Sequence, residues 1–252
     1  MIGVKYQPAD LAFYNRGESI PGFINNSISG TISGVLFPAM SRLQDDKNAI
    51  KASIRRSMMC STFLMAPLMF LLMGAADNII ILLYTNKWAA AIPYMQVIAV
   101  GYLLSILGGS NLQALNAIGR SDITLKLEFI KKPVYLAIIL YAMTISPLAM
   151  ALGNTIYGLF GASVNALPNK KLIGYSYGEQ LRDIAPQIGL GLLAGIAAFA
   201  IGKIPINIYL SLTLQLLMGC VVYLLLARLF KLESYQYLRD TIVDYIQNAP
   251  KK

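Results

Sequence analysis

Residues 133–169 read PVYLAIILYAMTISPLAMALGNTIYGLFGASVNALPN, a run of 37 positions with no Asp, Glu, Lys or Arg. A hydrocarbon core of roughly 30 Å takes about 20 helical residues at ~1.5 Å each. The run is too long for one crossing and slightly short for two with a turn. How it divides sets the topology of everything around it.

Five more charge-free runs of 18 or more residues flank it, at 19–41, 57–76, 88–119, 184–202 and 204–227, and the six together hold 155 of the 252 residues. The remainder cannot form a sizeable soluble domain. Composition agrees: 56% of residues are hydrophobic, 13% are charged and the mean hydropathy is +0.58. Too few charges remain to coat a soluble globule, so the bilayer is the principal solvent.

Loop charge decides the division. With two helices in 133–169 there are seven spans, and 17 of the 21 basic residues fall on one side. These are Arg42, Lys47, Lys51, Arg55 and Arg56 in the first loop, Arg120, Lys126, Lys131 and Lys132 around the third, Lys170, Lys171 and Arg182 in the fifth, and Arg228, Lys231, Arg239, Lys251 and Lys252 in the tail. Lys5, Arg16, Lys87 and Lys203 fall on the other side. The positive-inside rule then puts the C-terminus in the cytoplasm and the N-terminus outside. A single helix there would spoil the segregation.

The expected organisation is an external segment over 1–18 and a transmembrane bundle over 19–227. Its spans lie near 19–41, 57–76, 92–117, 123–145, 147–167, 184–202 and 205–227. A cytoplasmic tail over 228–252 places Leu238, Ile242, Tyr245 and Ile246 at helical spacing, which predicts an amphipathic helix along the membrane surface. The apolar stretch 78–86, with Tyr84 and Trp88 beside it, is too short to cross and predicts an interfacial helix on the outer face. No secretory signal is visible at the start.

Much chemistry is excluded. The chain has no histidine, so imidazole catalysis and histidine metal sites are ruled out. Cys60 and Cys220 lie singly within spans and read as packing residues. No GxGxxG, P-loop or GxSxG occurs, and neither a cofactor nor a metal is expected. The net charge of +9 is explained by topology and anionic lipid rather than nucleic acid.

The polar groups inside the spans are uncharged: Asn25 and Asn26 in the first, Asn111, Gln113 and Asn116 in the third, Asn154 and Asn165 in the fifth. They either hydrogen-bond between helices or line a polar path. No Asp or Glu lies deep in any expected span. Glu128 stands three and four residues before Lys131 and Lys132, the favourable orientation for helical ion pairs. These lysines either snorkel to anchor a helix end or face a cavity and attract an anionic head group. Gly30 with Gly34, and Gly191 with Gly195, have the spacing that lets membrane helices approach closely. Pro21, Pro38 and Pro67 stand where they could bend helices.

At the first span the residues become more specific. Tyr14-Asn15-Arg16-Gly17, followed by Ile28-Ser29-Gly30-Thr31-Ile32-Ser33-Gly34-Val35-Leu36-Phe37-Pro38-Ala39-Met40-Ser41-Arg42-Leu43-Gln44-Asp45-Asp46, resembles the second half of bacterial polysaccharide exporters. These are the flippases for lipid-linked oligosaccharide in the multidrug/oligosaccharidyl-lipid/polysaccharide superfamily. Lys87-Trp88, Pro93-Tyr94-Met95-Gln96, Ala117-Ile118-Gly119-Arg120-Ser121-Asp122 and Leu125-Lys126-Leu127-Glu128-Phe129-Ile130-Lys131-Lys132 continue the resemblance to about residue 183.

The resemblance implies an all-α integral membrane fold, the second bundle of a two-bundle transporter of the multidrug-exporter type. Such a protein turns polyprenyl-pyrophosphate-linked sugar across the bacterial inner membrane, for lipopolysaccharide, O-antigen or exopolysaccharide synthesis, without covalent chemistry. It implies cavity-lining cationic and polar residues, which by position are Arg16, Lys131, Lys132, Asn111, Asn116 and Asn154. Arg16 could equally be an interfacial anchor. Only Met1 to Val4 precede Lys5, where the family pattern has a further helix and a whole bundle. The implied protein is thus a C-terminal half, from a truncated or split gene, needing the N-terminal bundle or a second copy as partner. Three alternatives stand beside this reading: a small-molecule exporter of the same superfamily, a membrane enzyme of envelope polysaccharide assembly, and a non-functional remnant.

Overall fold

The computed structural model describes residues 2–41 and 46–248. Among them the regular structure is helical. A short α1 (Ile2–Lys5) leads into α2 (Pro8–Ser41), α3 (Lys47–Gly74), α4 (Ala76–Tyr84), a 3-10 turn (Asn86–Ala91) and α5 (Ile92–Ala117). Then follow α6 (Ser121–Ala142), α7 (Pro147–Leu172), α8 (Tyr177–Gly202), α9 (Ile208–Leu229) and α10 (Glu233–Asn248). In a membrane every backbone polar group must be paired within the protein, and a helix does this within one segment.

Seven of these helices have 22 residues or more. Among the described residues, four segments suffice by length and hydropathy to cross a membrane: Lys47–Gly74, Asn86–Ala117, Tyr177–Gly202 and Ile208–Leu229. The 37-residue run does divide, between α6 and α7. Ser146 is extended, its side chain accepts from the Ala149 amide at 3.0 Å, and Pro147 takes the first helical position. Proline there has no amide to satisfy and its φ is already helical. Asp46, Asn207 and the Ser176–Glu179 capping box start α3, α9 and α8 in the same way, by pairing amides that lack an intrahelical partner.

In the bundle α6 packs on α7, α7 on α5, α5 on α3, α3 on α8 and α8 on α9, with α2 laid against both α5 and α3. The α3/α8 contact is the most extensive, and it is close. A Cβ added at Gly195 would stand 2.7 Å from the Phe70 carbonyl oxygen, and one at Gly191 would stand 3.0 Å from Ala66. The Gly191/Gly195 pair noted in the sequence is therefore a genuine seam. Gly30 meets open space, and the surroundings of Gly34 lie outside the described residues.

The stretch after α3 that the sequence predicts to be interfacial forms α4, in which Ile79 and Ile80 are buried with Met69, Met95 and Ala99. Helix α10 is held through Leu232, Tyr235 and Leu238 against Phe63, Leu190 and Tyr223. Of the expected apolar face only Leu238 can be placed; the side chains of Ile242, Tyr245 and Ile246 lie outside the described residues, as do Arg42, Lys251 and Lys252. Arg55 joins the pieces on this side, donating to both Glu233 oxygens at 3.0 and 2.9 Å while lying 3.1 Å from Asp183 of α8.

Three helices begin well before the sequence reading places their spans: α3 at Lys47 instead of 57, α8 at Tyr177 instead of 184, and α2 by the widest margin. Helix α2 begins at Pro8, so residues 8–18, expected as part of an external segment, are helical and continuous with the first span. Asp10, Arg16 and Glu18 interrupted the charge-free run without interrupting the helix.

Gly195→Val is expected to destabilise the protein by at least ~1–3 kcal/mol, because the new side chain meets rigid backbone. Gly189→Ala on the same helix, where a Cβ meets open space, is expected to be neutral or slightly stabilising. Thermal unfolding of the two variants in one detergent, followed by size-exclusion profile, checks this; equal midpoints would refute the seam.

Candidate functional site

Three helices, α2, α5 and α7, enclose a recess of about 290 Å³ lined by Tyr14, Glu18, Tyr102, Ser105, Asn154 and Thr155, with Gly101, Gly158, Ile98 and Ala151 as its apolar wall. Glycines at two wall positions keep it open. Tyr102 donates its hydroxyl hydrogen to the Glu18 carboxylate at 2.8 Å, and Tyr14 stands in reach of the Asn154 amide. Deeper along α2 and α5, the Ser105 hydroxyl donates to Asn25 Oδ1 at 3.2 Å. A smaller hollow of about 70 Å³ continues past Ser29, Ser61, Gly109, Ser110 and Gln113. Polar side chains thus follow one face of the α2/α5 pair.

Glu18 is the residue that sequence reasoning missed. It stood at the edge of a charge-free run and was assigned to the outside, yet it is the eleventh residue of a 34-residue helix and half-buried. Its spacing was the available signal: Tyr14 and Glu18 are four residues apart, on one face of a helix.

The six sequence candidates do not converge on one point. Asn154 lies in the recess. Asn111 is wholly buried and knits three helices together. Its Nδ2 donates to Gln180 Oε1 at 2.7 Å, while its Oδ1 accepts from Gln180 Nε2 at 3.0 Å and Asn169 Nδ2 at 2.5 Å. Asn116 is exposed at the end of α5 and accepts from the Thr124 hydroxyl at 3.2 Å. Arg16 is exposed, its guanidinium 5.0 Å from the Tyr84 ring centre and 5.1 Å from that of Trp88, with Phe13 edge-on to Trp88 at 5.8 Å. Such stacking of a cation on aromatic faces suits a membrane–water boundary.

Lys131 and Lys132 part company, because neighbours on a helix point about 100° apart. Lys132 is exposed, whereas only 4% of Lys131 is accessible. The Lys131 stem lies along Gly161 of α7, 3.7 Å from where a Cβ would stand, and its ammonium pairs with Glu128 at 2.5 Å. One to two turns further on, Tyr135 packs on Tyr157 with ring centres 4.7 Å apart. In the α5–α6 turn, Arg120 donates to both Asp122 oxygens at 2.8 and 3.1 Å, which holds that carboxyl below its ordinary pKa. No group of three or more His, Cys, Asp or Glu positioned to hold a metal occurs among the described residues.

Comparison with known proteins places this architecture. Residues 1–93 match the family model described as polysaccharide biosynthesis protein. Among curated relatives, the lipopolysaccharide biosynthesis protein WzxC of Escherichia coli is 24% identical over 194 residues, 75% of this chain and 39% of the relative. The succinoglycan biosynthesis transport protein ExoT of Rhizobium meliloti is 31% identical over 86 residues, 34% of this chain and 17% of the relative. Among solved structures, lipid II flippase MurJ in an inward closed conformation superposes with a TM-score of 0.74 at 16% identity, over 94% of this chain and 49% of that one. The chain spans well under half the length of the curated relatives named and about half of the flippase structure. The resemblance to polysaccharide exporters is borne out, and the fold is that of an all-α, multi-pass membrane protein.

Asn111→Ala is expected to destabilise the chain by ~1–3 kcal/mol, the cost of leaving buried partners unpaired. Gln180→Ala should do the same, and the double variant should cost clearly less than the sum, since both remove one network. Thermal denaturation of the cycle in detergent tests it; strict additivity would show the two amides to be independent.

Proposed function

We propose that the chain is one bundle of a two-bundle carrier that moves polyprenyl-pyrophosphate-linked oligosaccharide across the bacterial inner membrane. The other bundle is supplied by a further polypeptide segment or a second copy. The observation that supports this most is the polar recess of α2, α5 and α7 beside an α6 that carries a buried lysine, all within a fold matching about half of a lipid-flippase structure. Sugar hydroxyls suit the neutral hydrogen-bonding groups Tyr14, Tyr102, Ser105, Asn154 and Thr155, and a phosphate head suits the cation at Lys131. The C-terminus and α10 lie in the cytoplasm, on the side that collects the basic loops.

Transport of this kind makes and breaks no covalent bond, so the residues act by binding and by relaxing between two packings of the bundles. Glu18 adds a carboxylate whose protonation would change both the charge of the recess and the hydrogen bond from Tyr102. The same carboxylate favours a second reading, a carrier of the same architecture for small organic molecules, which would need no phosphate-binding cation.

Co-expression of this chain with the N-terminal bundle of a related flippase, in a strain lacking its own, discriminates the readings. Restored surface polysaccharide is expected, with Glu18→Gln and Lys131→Gln each reducing it about tenfold or more. Drug resistance without surface polysaccharide would support the second reading. A cysteine placed at the end of α10 should be labelled only after the cytoplasm is opened; labelling of intact cells would reverse the topology.

A further inference from the structure

The placement of Glu128 carries more than a helical ion pair. The Lys131 ammonium, 5% accessible at its side chain, is bonded at 2.5 Å to one oxygen of a carboxylate whose own side chain is 34% accessible. The exposed partner covers the buried one. Near this pair on α6 and α7 are Tyr135 and Tyr157, which stack on each other, Gly161, which lends the lysine stem its space, and the exposed Lys132, four residues after Glu128. α5, which also touches α6, carries no charged residue between Ile92 and Ala117. Solvent therefore meets Glu128 before it meets Lys131.

We infer that Glu128 is a specificity-determining residue: a tethered counter-ion that an incoming anion must displace to reach Lys131. This rests on the reading of Lys131 as an anion site made above. A carboxylate one helical turn away competes at the effective concentration of a short tether, in the millimolar range or higher. A singly charged headgroup offers the ammonium no more than Glu128 already does and pays for pushing it aside. A pyrophosphate head brings at least two charges and several acceptor oxygens, so it bonds Lys131 and still has oxygens left for neighbouring hydroxyls. The device thereby favours a pyrophosphate-linked lipid over the phosphodiester lipids that surround it in great excess.

The full chain in phosphatidylcholine nanodiscs, titrated with inorganic pyrophosphate and with acetate, tests this by equilibrium binding. The wild type is expected to prefer pyrophosphate by roughly tenfold or more. Lys131→Gln should lose that binding. Glu128→Gln should bind acetate and pyrophosphate more tightly, with the preference reduced to about threefold or less. Glu128→Asp, which keeps the charge, should retain the preference. Nanodiscs containing phosphatidylglycerol should weaken pyrophosphate binding in Glu128→Gln and leave the wild type unchanged. Pyrophosphate binding that depends on Lys131 but is unchanged or weaker in Glu128→Gln overturns the gatekeeper role alone. Equal wild-type binding of acetate and pyrophosphate through Lys131 does so without any Glu128 variant. Pyrophosphate binding that is absent in both wild type and Glu128→Gln, or unaffected by Lys131→Gln, overturns the anion site itself.

Discussion

The close crossing of α3 and α8 is the constraint on which the rest of the structure leans. Lipid is as apolar as leucine, so burying more apolar surface gives two membrane helices little reason to associate. What holds them is close van der Waals contact, and that requires Gly191 and Gly195 to leave room for the backbone at Ala66 and Phe70. Because α3 also touches α2, α5, α9 and α10, this seam fixes the helix against which the others are placed. The Arg55 bridge to Glu233 and Asp183 continues it at the basic end, where water is available to the charges.

With the helices placed, polar side chains sort into two groups. In one, donors and acceptors meet across helix contacts. Asn111, Gln180 and Asn169 form such a cluster, and Asn78, Ser211 and Gln215 form another, with Asn78 donating to the two others at 2.9 and 2.8 Å. These bonds specify how helices dock, with Asn169 Oδ1 left as a buried acceptor. In the other group, Tyr14, Glu18, Tyr102 and Asn154 surround space. The second group borders space that a visitor could enter. Asparagine count alone does not distinguish them; position relative to a neighbouring helix does.

That distinction explains what was legible in the sequence. Helices ending at charged or capped positions were readable, and the third expected span, 92–117, coincides with α5. The division of 133–169 followed from loop charge and is executed by Ser146 and Pro147, a local signal that agrees with the global one. Glu18 was not readable by the same criterion. A search for charge-free runs cuts a helix at its last charge, and α2 keeps its charges where a tyrosine hydroxyl and an aromatic pair receive them. Nor could the sequence separate Lys131 from Lys132 or assign Asn111 to packing, because each depends on which neighbour occupies the facing helix.

The recess and the Lys131 pair also differ in how they store charge, and this bears on how a carrier could work. Glu18 is held by one neutral donor from another helix, so its charge is not cancelled within the recess. Lys131 is paired with a group on its own helix, so a movement of α6 against its neighbours would separate no opposite charges there. Separating an ion pair with one buried member has a cost, and the exposure of Glu128 keeps it below that of a fully buried pair. Under the proposed mechanism an intrahelical pair would avoid that cost during motion and incur it only when a ligand displaces the partner. On the proposed carrier reading, helix movement and ligand exchange would then be energetically separate events, which a carrier needs if it is to reorient both loaded and empty.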